Sequence, residues 1–289
     1  MDNILNKARN YYIQLIQKLK RNELLKFLCI LSGWLLIASC SPKLNTPAKL
    51  NIGETFKVMT YNIHHANPTS KTGLIDLGAI AAVINKEKPD LVGLQEVDRF
   101  TKRSGNTDEA KALAERTGLN YYFFKAIDYD GGDYGVAILS RYPIKNPLKL
   151  ALPQVAKGEP RVLSYVDVVL PNKTILTFSN THLDATRPDS NRVAQMKTIV
   201  NELNTKKNAI ILVGDLNCES RAEPIILLDQ YFKRSCVSNC SPTIPQDKPT
   251  KTIDYIALRN ANWSVKEHRV ISEVYASDHR PVVAVYQLK

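Results

Sequence analysis

Residues 55–289 predict an α/β fold of two stacked sheets with helices on their outer faces. Ten runs rich in β-branched and aromatic residues recur along this stretch, with only four stretches of helical spacing between them. A doubly wound parallel sheet needs a helix at almost every crossover, so it leaves too many strands over. Two sheets packed face to face accommodate them. The polar residues are also distributed unevenly: five clusters of acids, amides and histidines fall at the ends of apolar runs.

Taken in order, run 56–63 closes on Tyr61-Asn62-Ile63-His64-His65. Residues 74–88 place Leu77, Ile80, Ala81 and Ile84 on one helical face, and Pro89 stops the helix. Run 90–97 ends in Gln95-Glu96-Val97-Asp98. Asp108 caps a helix over 109–117, and Gly118 ends it. Runs 121–127, 134–140, 161–170 and 174–183 read as strands, the last closing on Asn180-Thr181-His182-Leu183-Asp184. Residues 192–203 present Val193, Met196, Ile199, Val200 and Leu203 at helical spacing, and 208–213 is an apolar strand delivering Gly214-Asp215-Leu216-Asn217. A short helix over 224–228 and strands over 253–258, 263–271 and 282–288 complete the set, with Ser277-Asp278-His279-Arg280-Pro281 before the last.

These clusters carry chemistry. Residues two apart on a strand face the same side, so Asp215 and Asn217 offer a carboxylate and an amide to one spot. That pair suits a hard divalent cation or a phosphate sharing one. Glu96 at a strand tip is costly to bury without a cation and is the first candidate metal ligand. His279 exchanges protons near neutral pH. Together the clusters indicate a metal-dependent hydrolase.

Residues 1–40 stand apart from the fold. Six Lys/Arg precede an apolar stretch, 27–38, too short for the roughly 20 residues of a spanning helix. The segment resembles a bacterial lipoprotein signal, with Ile37-Ala38-Ser39-Cys40 as the lipobox and Cys40 as the acylated first mature residue; an uncleaved anchor is the alternative. This implies a protein of the cell envelope, held on a membrane through Cys40. Residues 41–54 read as a tether and 55–289 as one domain. The chain carries a net charge of +11; residues 1–40 hold six Lys/Arg and two Asp/Glu, which leaves seven positive charges for the exported part. That excess favours an anionic substrate or membrane surface, without the dense basic stripe of a nucleic-acid binder. After export, Cys236 and Cys240 are expected to pair, and Cys218 reads as a buried structural thiol.

The five motifs, in this order and spacing, resemble the endonuclease/exonuclease/phosphatase superfamily, which includes deoxyribonuclease I-like nucleases, abasic-site endonucleases, neutral sphingomyelinases and inositol-polyphosphate 5-phosphatases. Tyr-Asn-Ile-His-His followed by Gln-Glu-Val-Asp is similar to its small bacterial hydrolases, some of whose relatives are linked to glycosylphosphatidylinositol processing. The resemblance implies a four-layer α/β/β/α sandwich of two mostly antiparallel sheets, and hydrolysis of phosphate esters with Mg²⁺, or Mn²⁺ in its place. It implies Glu96, Asn62 and Asp278 at the metal. It implies Asp254 as the partner of His279, His182 as a second active-site histidine, and Asp215 with Asn217 handling the attacking water. Either Asp215 or His279 is the base. Arg161 either reaches the phosphate or is a solvated strand end, and Tyr134 either touches substrate or packs. His65 is a substrate contact or a packed histidine, Asp184 orients its loop, and His268 has no assigned role.

The substrate implied is a phosphodiester of nucleic acid or of a phospholipid or sugar head group, acted on by a monomer. The acidic loop 128–133 argues against a DNA backbone over that rim. The competing reading is a catalytically inactive, lipid-anchored binding protein. A decayed site would have lost one of Asn62, Glu96, Asp215, Asn217, Asp278 or His279, and all six are present.

Overall fold

The computed structural model describes residues 55–171 and 173–288, together with six positions between 13 and 20. The expected acylation site Cys40, the apolar stretch 27–38 and the tether 41–54 lie outside the described residues. Among those described, no helix is long and apolar enough to cross a membrane. Of the chain's two units, Met1–Thr46 and Pro47–Lys289, the second carries both sheets.

The first sheet is built from β1 (Thr55–Asn62), β2 (Leu91–Arg99), β3 (Asn120–Tyr129), β4 (Gly132–Ser140), β11 (Ser264–Val270) and β12 (Val282–Gln287), in the order β11-β12-β1-β2-β4-β3. The second holds β5 (Ile144–Ala151), β6 (Val162–Val169), β7 (Ile175–His182), β8 (Ala209–Asp215), β9 (Lys233–Arg234) and β10 (Asp254–Arg259), in the order β5-β6-β7-β8-β10-β9. Each sheet is antiparallel except for one central parallel pair, β1 with β2 and β7 with β8. Parallel neighbours need a crossover. Helix α1 (Leu77–Glu87) supplies the first, and helix α3 (Ser190–Asn204) the second. Helices α2 (Glu109–Thr117) and α4 (Glu223–Asp229) join them on the two outer faces.

Burial follows the side-chain period of two. Along β8, Ile211 and Val213 enter the core between the sheets with Phe56, Val58, Ile138 and Phe178, while Ile210 and Leu212 face α3 and α4. In the first sheet, Met59, Leu94 and Leu139 turn outward onto Ile80, Ile84 and Leu113 of α1 and α2. Three apolar layers therefore separate four layers of structure. Near the site the inter-sheet contact turns polar: Gln95 Nε2 donates to Asn180 Oδ1 (2.7 Å) and Thr60 Oγ1 (3.0 Å), and Asn180 Nδ2 donates to the Leu94 and Ala137 carbonyls. These bonds tie the sheets together.

Three differences from the sequence expectation have local causes. Helix α1 starts at Leu77 rather than residue 74, because the Asp76 side chain caps Ala79 N at 2.9 Å and the Leu74 amide is spent on a turn to Lys71 O. Strand β5 was not expected: it is a largely exposed edge strand interrupted by Pro147, so it lacks an apolar face. The two-residue β9 is too short for any pattern. Cys236 and Cys240 form a disulfide, and Cys218 is buried and free.

Candidate active site

The two parallel pairs point their C-terminal ends toward one another, and five of the expected residues converge there. Asn62 ends β1, His182 ends β7 and Asp215 ends β8, while Asp254 begins the antiparallel β10 and so arrives at the same end. Glu96 lies in β2, where the pairing with β4 shifts between Leu94 and Val97. This bulge, with Glu96 at φ 55°, turns its carboxylate toward Asn62.

Asn62 is fully buried and its orientation is fixed. The His64 backbone N–H donates to its Oδ1 at 3.1 Å, so its amide nitrogen must be the atom facing Glu96 Oε1 (3.0 Å) and Asp215 Oδ2 (3.1 Å). Asn62, expected beside the cation, bridges the Glu96 and Asp215 carboxylates through its Nδ2. Asp215 Oδ1 takes the Asn217 backbone N–H at 2.9 Å. Asn217 was expected on the strand beside Asp215, but the strand ends at Asp215 and Asn217 adopts φ 50°. Its side chain reaches His182 Nε2 (3.0 Å) and the Leu183 carbonyl (3.0 Å) from that left-handed turn.

Two histidines flank Asp215. His279 Nδ1 bonds Asp254 Oδ2 at 3.0 Å, and its Nε2 stands 3.6 Å from Asp215 Oδ2, an ion-pair distance rather than a hydrogen bond. Burial disfavours its charge, but the carboxylates of Asp254 and Asp215 outweigh this and raise His279 to about 10. His279 is therefore an imidazolium at neutral pH. Asp215 moves upward too: burial and the Asp254 charge raise it, and His279 holds it back only in part. His182 behaves oppositely. Burial, with the charges of Arg161 and His279, drives it well below its ordinary value, so it is neutral.

Arg161 lies inside the site, 7 % exposed, with Nη1 3.1 Å from His182 Nδ1 and 2.7 Å from Glu159 Oε1. Its buried Nε has no partner among the described residues. Such a donor is costly to bury unpaired and is suited to an arriving phosphate oxygen. Tyr134 is buried against it, its hydroxyl raised by burial and by the Glu96 charge. Asp278 sits at the rim, takes a 3.3 Å hydrogen bond from Ser277 Oγ, and joins neither metal-competent cluster among the described residues. Those clusters are His64–His65–Glu96 and Asp215–Asp254–His279. Asp184 binds Thr186 N and Asn191, so it holds its own loop, and His268 bonds Ser235 away from the site.

Two features escaped the sequence. Arg103 clamps buried Asp98 through two bonds of 2.7 and 2.8 Å and lies over the Tyr129 ring at 4.4 Å, beside Tyr134. In sequence it looks like one cation of a solvated loop, and only the buried Asp98 signals a partner. The other is the backbone at His64, His65 and Ala66, with φ of 47°, 42° and 52°. Each such residue costs on the order of 1–3 kcal/mol and persists where its surroundings enforce it. The acidic loop 128–133 is also less repellent than expected, since Lys125 and Arg99 pair Asp128 and Asp133.

Comparison with known proteins agrees with this geometry. A model of the Endonuclease/Exonuclease/phosphatase family matches residues 59–279. The Escherichia coli K12 protein YbhP, itself uncharacterized, is 27 % identical over 252 residues, covering 81 % of this chain and 97 % of its own. The mannosyl-6-phosphatase of Bacteroides thetaiotaomicron superposes with a TM-score of 0.65 at 19 % identity, covering 79 % of this chain and 98 % of that one. The catalytic domain of human Nocturnin, solved with a bound sulfate anion, gives 0.65 at 20 % identity, covering 81 % and 94 %.

Proposed function

Because the chain belongs to the endonuclease/exonuclease/phosphatase family, we propose that it is a divalent-metal-dependent hydrolase of a phosphodiester, drawn from nucleic acid or from a lipid or sugar head group. The observation that carries this reading is the pairing of a raised Asp215 with a charged His279 at the bottom of a cleft that also holds an unpaired Arg161 N–H.

The donor set at Glu96 fits a cation: the carboxylate is half-buried, held in a strained backbone, and faced by imidazole nitrogens within 4.8 Å. Glu96 would hold Mg²⁺ or Mn²⁺, with Asp278 at the rim, and the bound ion would neutralise charge on a non-bridging phosphate oxygen. The protein's own residues do the rest. Arg161 Nε and Nη fix the phosphate. Asp215, once deprotonated, orients a water in line and takes its proton. Asn62 and Asn217 keep that carboxylate in place. The His279 imidazolium, oriented by Asp254, donates toward the phosphoryl oxygens as charge builds, and neutral His182, held between Arg161 Nη1 and Asn217 Nδ2, keeps both of those donors in place beside it.

We further propose that Cys40 is acylated, placing this cleft at a membrane surface of the cell envelope; two or more acyl chains would make that anchoring stable. The test of substrate is a panel offered to the purified full chain with Mg²⁺, Mn²⁺ or Zn²⁺: plasmid DNA, RNA, sphingomyelin, phosphoinositides, a bis-aryl phosphodiester and a sugar phosphomonoester. Cleavage of a diester is expected. Cleavage of the monoester alone would assign a phosphatase instead, and inertness toward the whole panel would support the binding-protein alternative.

A further inference from the structure

Glu96 does not stand alone against an oxygen-lined cleft. The ligand atoms of His64, His65 and Glu96 all lie within 4.8 Å of one another, and the two rings meet edge to face with centroids 4.4 Å apart. We propose that these residues form a two-imidazole, one-carboxylate site, so that the cation of this protein is a first-row transition metal bound far more tightly than Mg²⁺. The inference rests on Glu96 being the cation-holding carboxylate of the hydrolase described above, and it names that cation's class.

The local structure presents ring nitrogens on purpose. His64 Nδ1 donates to the Asn67 carbonyl at 2.9 Å, which fixes the tautomer and leaves Nε2 with a free lone pair. His65 Nδ1 is buried and has no hydrogen-bond partner among the described residues. A buried ring nitrogen left unpaired calls for an explanation, and a metal supplies one. The backbone turns left-handed at three successive L-residues to bring the two rings together, and Glu96 on the neighbouring strand is left-handed as well. That turn is enforced by Ala66 N on Ile63 O (2.8 Å), Asn67 N on His64 O (2.9 Å) and Asp76 N on Ala66 O (2.7 Å).

Ligand chemistry then decides the ion. Mg²⁺ demands oxygen ligands, whereas imidazole suits Zn²⁺ and its first-row neighbours. The neutral oxygen expected here, Asn62 Oδ1, turns toward the His64 N–H, and it is Asn62 Nδ2 that faces Glu96. Three protein ligands leave positions open for water and a phosphate oxygen. Metal–ligand bonds of about 2.0–2.1 Å set tetrahedral ligand atoms about 3.3 Å apart, so binding draws the three side chains inward.

The test is equilibrium dialysis of the chelator-stripped full chain against Zn²⁺, Mn²⁺ and Mg²⁺, with bound metal measured directly. One Zn²⁺ per chain is expected, retained against a large excess of Mg²⁺. The His64→Ala/His65→Ala double variant should lose Zn²⁺ affinity by roughly a hundredfold while Mg²⁺ binding changes little. Displacement of Zn²⁺ by Mg²⁺, or a double variant that binds Zn²⁺ as tightly as the parent, overturns the inference; the latter would move the ion to Asp215–Asp254–His279. Should the variant fail to fold, imidazole ¹⁵N resonances of the unsubstituted protein decide: Zn²⁺ must shift those of His64 and His65, and unshifted resonances overturn the site. Tight Zn²⁺ binding by a protein that hydrolyses nothing would instead remove the hydrolase reading and leave the metal site intact.

Discussion

In the proposed mechanism Asp215 must lose a proton to act on water, while His279, 3.6 Å away, must keep one to meet the growing charge. Their surroundings separate the two needs. Burial and Asp254 raise Asp215 to about 7, and despite burial Asp254 and Asp215 raise His279 to about 10. The productive form, carboxylate with imidazolium, is populated as pH rises through the first value and lost as it rises through the second. We expect a bell-shaped kcat/KM whose acid limb lies near neutral pH rather than in the ordinary carboxylate range, and Asp215→Asn should remove that limb and lower turnover by roughly a hundredfold or more. An acid limb near pH 4 would argue against this pairing. Arg161→Ala should raise the pKa of His182, read by NMR titration, because burial and the Arg161 charge are what hold it down; an unmoved titration would show that Arg161 does not set it. Much at this scale was legible. Asn62, Glu96, His182, Asp215 and His279 each end or follow an apolar run, and hydropathy finds such ends. The sign of φ at Asn217 and His64–Ala66 was not, because Asn and His only favour left-handed turns statistically and surrounding contacts impose them.

Elements bring these residues together through close approaches that leave no spare volume. A Cβ on Gly214, at φ 157°, would lie 2.1 Å from the Thr181 carbonyl oxygen, where β7 and β8 run side by side just before His182 and Asp215. Gly214→Ala should therefore destabilise the fold by about 3 kcal/mol, seen as a lowered denaturation midpoint, and reduce activity by splaying the two ends. A variant as stable as the parent would mean the strands can shift freely. The loop between β2 and α2 depends on Arg103, which neutralises the fully buried Asp98. Arg103→Ala leaves that carboxylate unpaired and should cost on the order of 3 kcal/mol, less when combined with Asp98→Asn. Equal losses in the single and double variants would contradict this coupling. The strands with apolar faces were readable because burial on one or both faces leaves a pattern. Edge strand β5 was not, since a strand facing water with a proline inside carries none.

At the scale of the molecule, both sheets follow one plan: a central parallel pair, a helical crossover and buried polar groups at the C-terminal ends. Facing these ends across the inter-sheet core makes one cleft from residues as distant as Asn62 and His279. The stacking of two sheets followed from the excess of strands over helices; which strands are central did not, because strand order is set by pairing across long separations. The Cys236–Cys240 disulfide closes a short loop outside this plan. Replacing both cysteines by serine should cost no more than about 2 kcal/mol and leave hydrolysis unchanged; a large activity loss would tie that loop to the cleft. In the proposed mechanism, hydrolysis requires a divalent cation on Glu96 and Asp215 acting on the water beside it. This requirement is tested most directly by hydrolysis of a bis-aryl phosphodiester by the full chain, stripped by chelation and then resupplied with Mg²⁺, Mn²⁺ or Zn²⁺, in parallel with Glu96→Ala. Activity is expected to vanish on chelation, to return with at least one of these ions, and to need much more of that ion in the variant. Full hydrolysis by the stripped protein, or a Glu96→Ala protein with the parent's metal dependence, would contradict that mechanism.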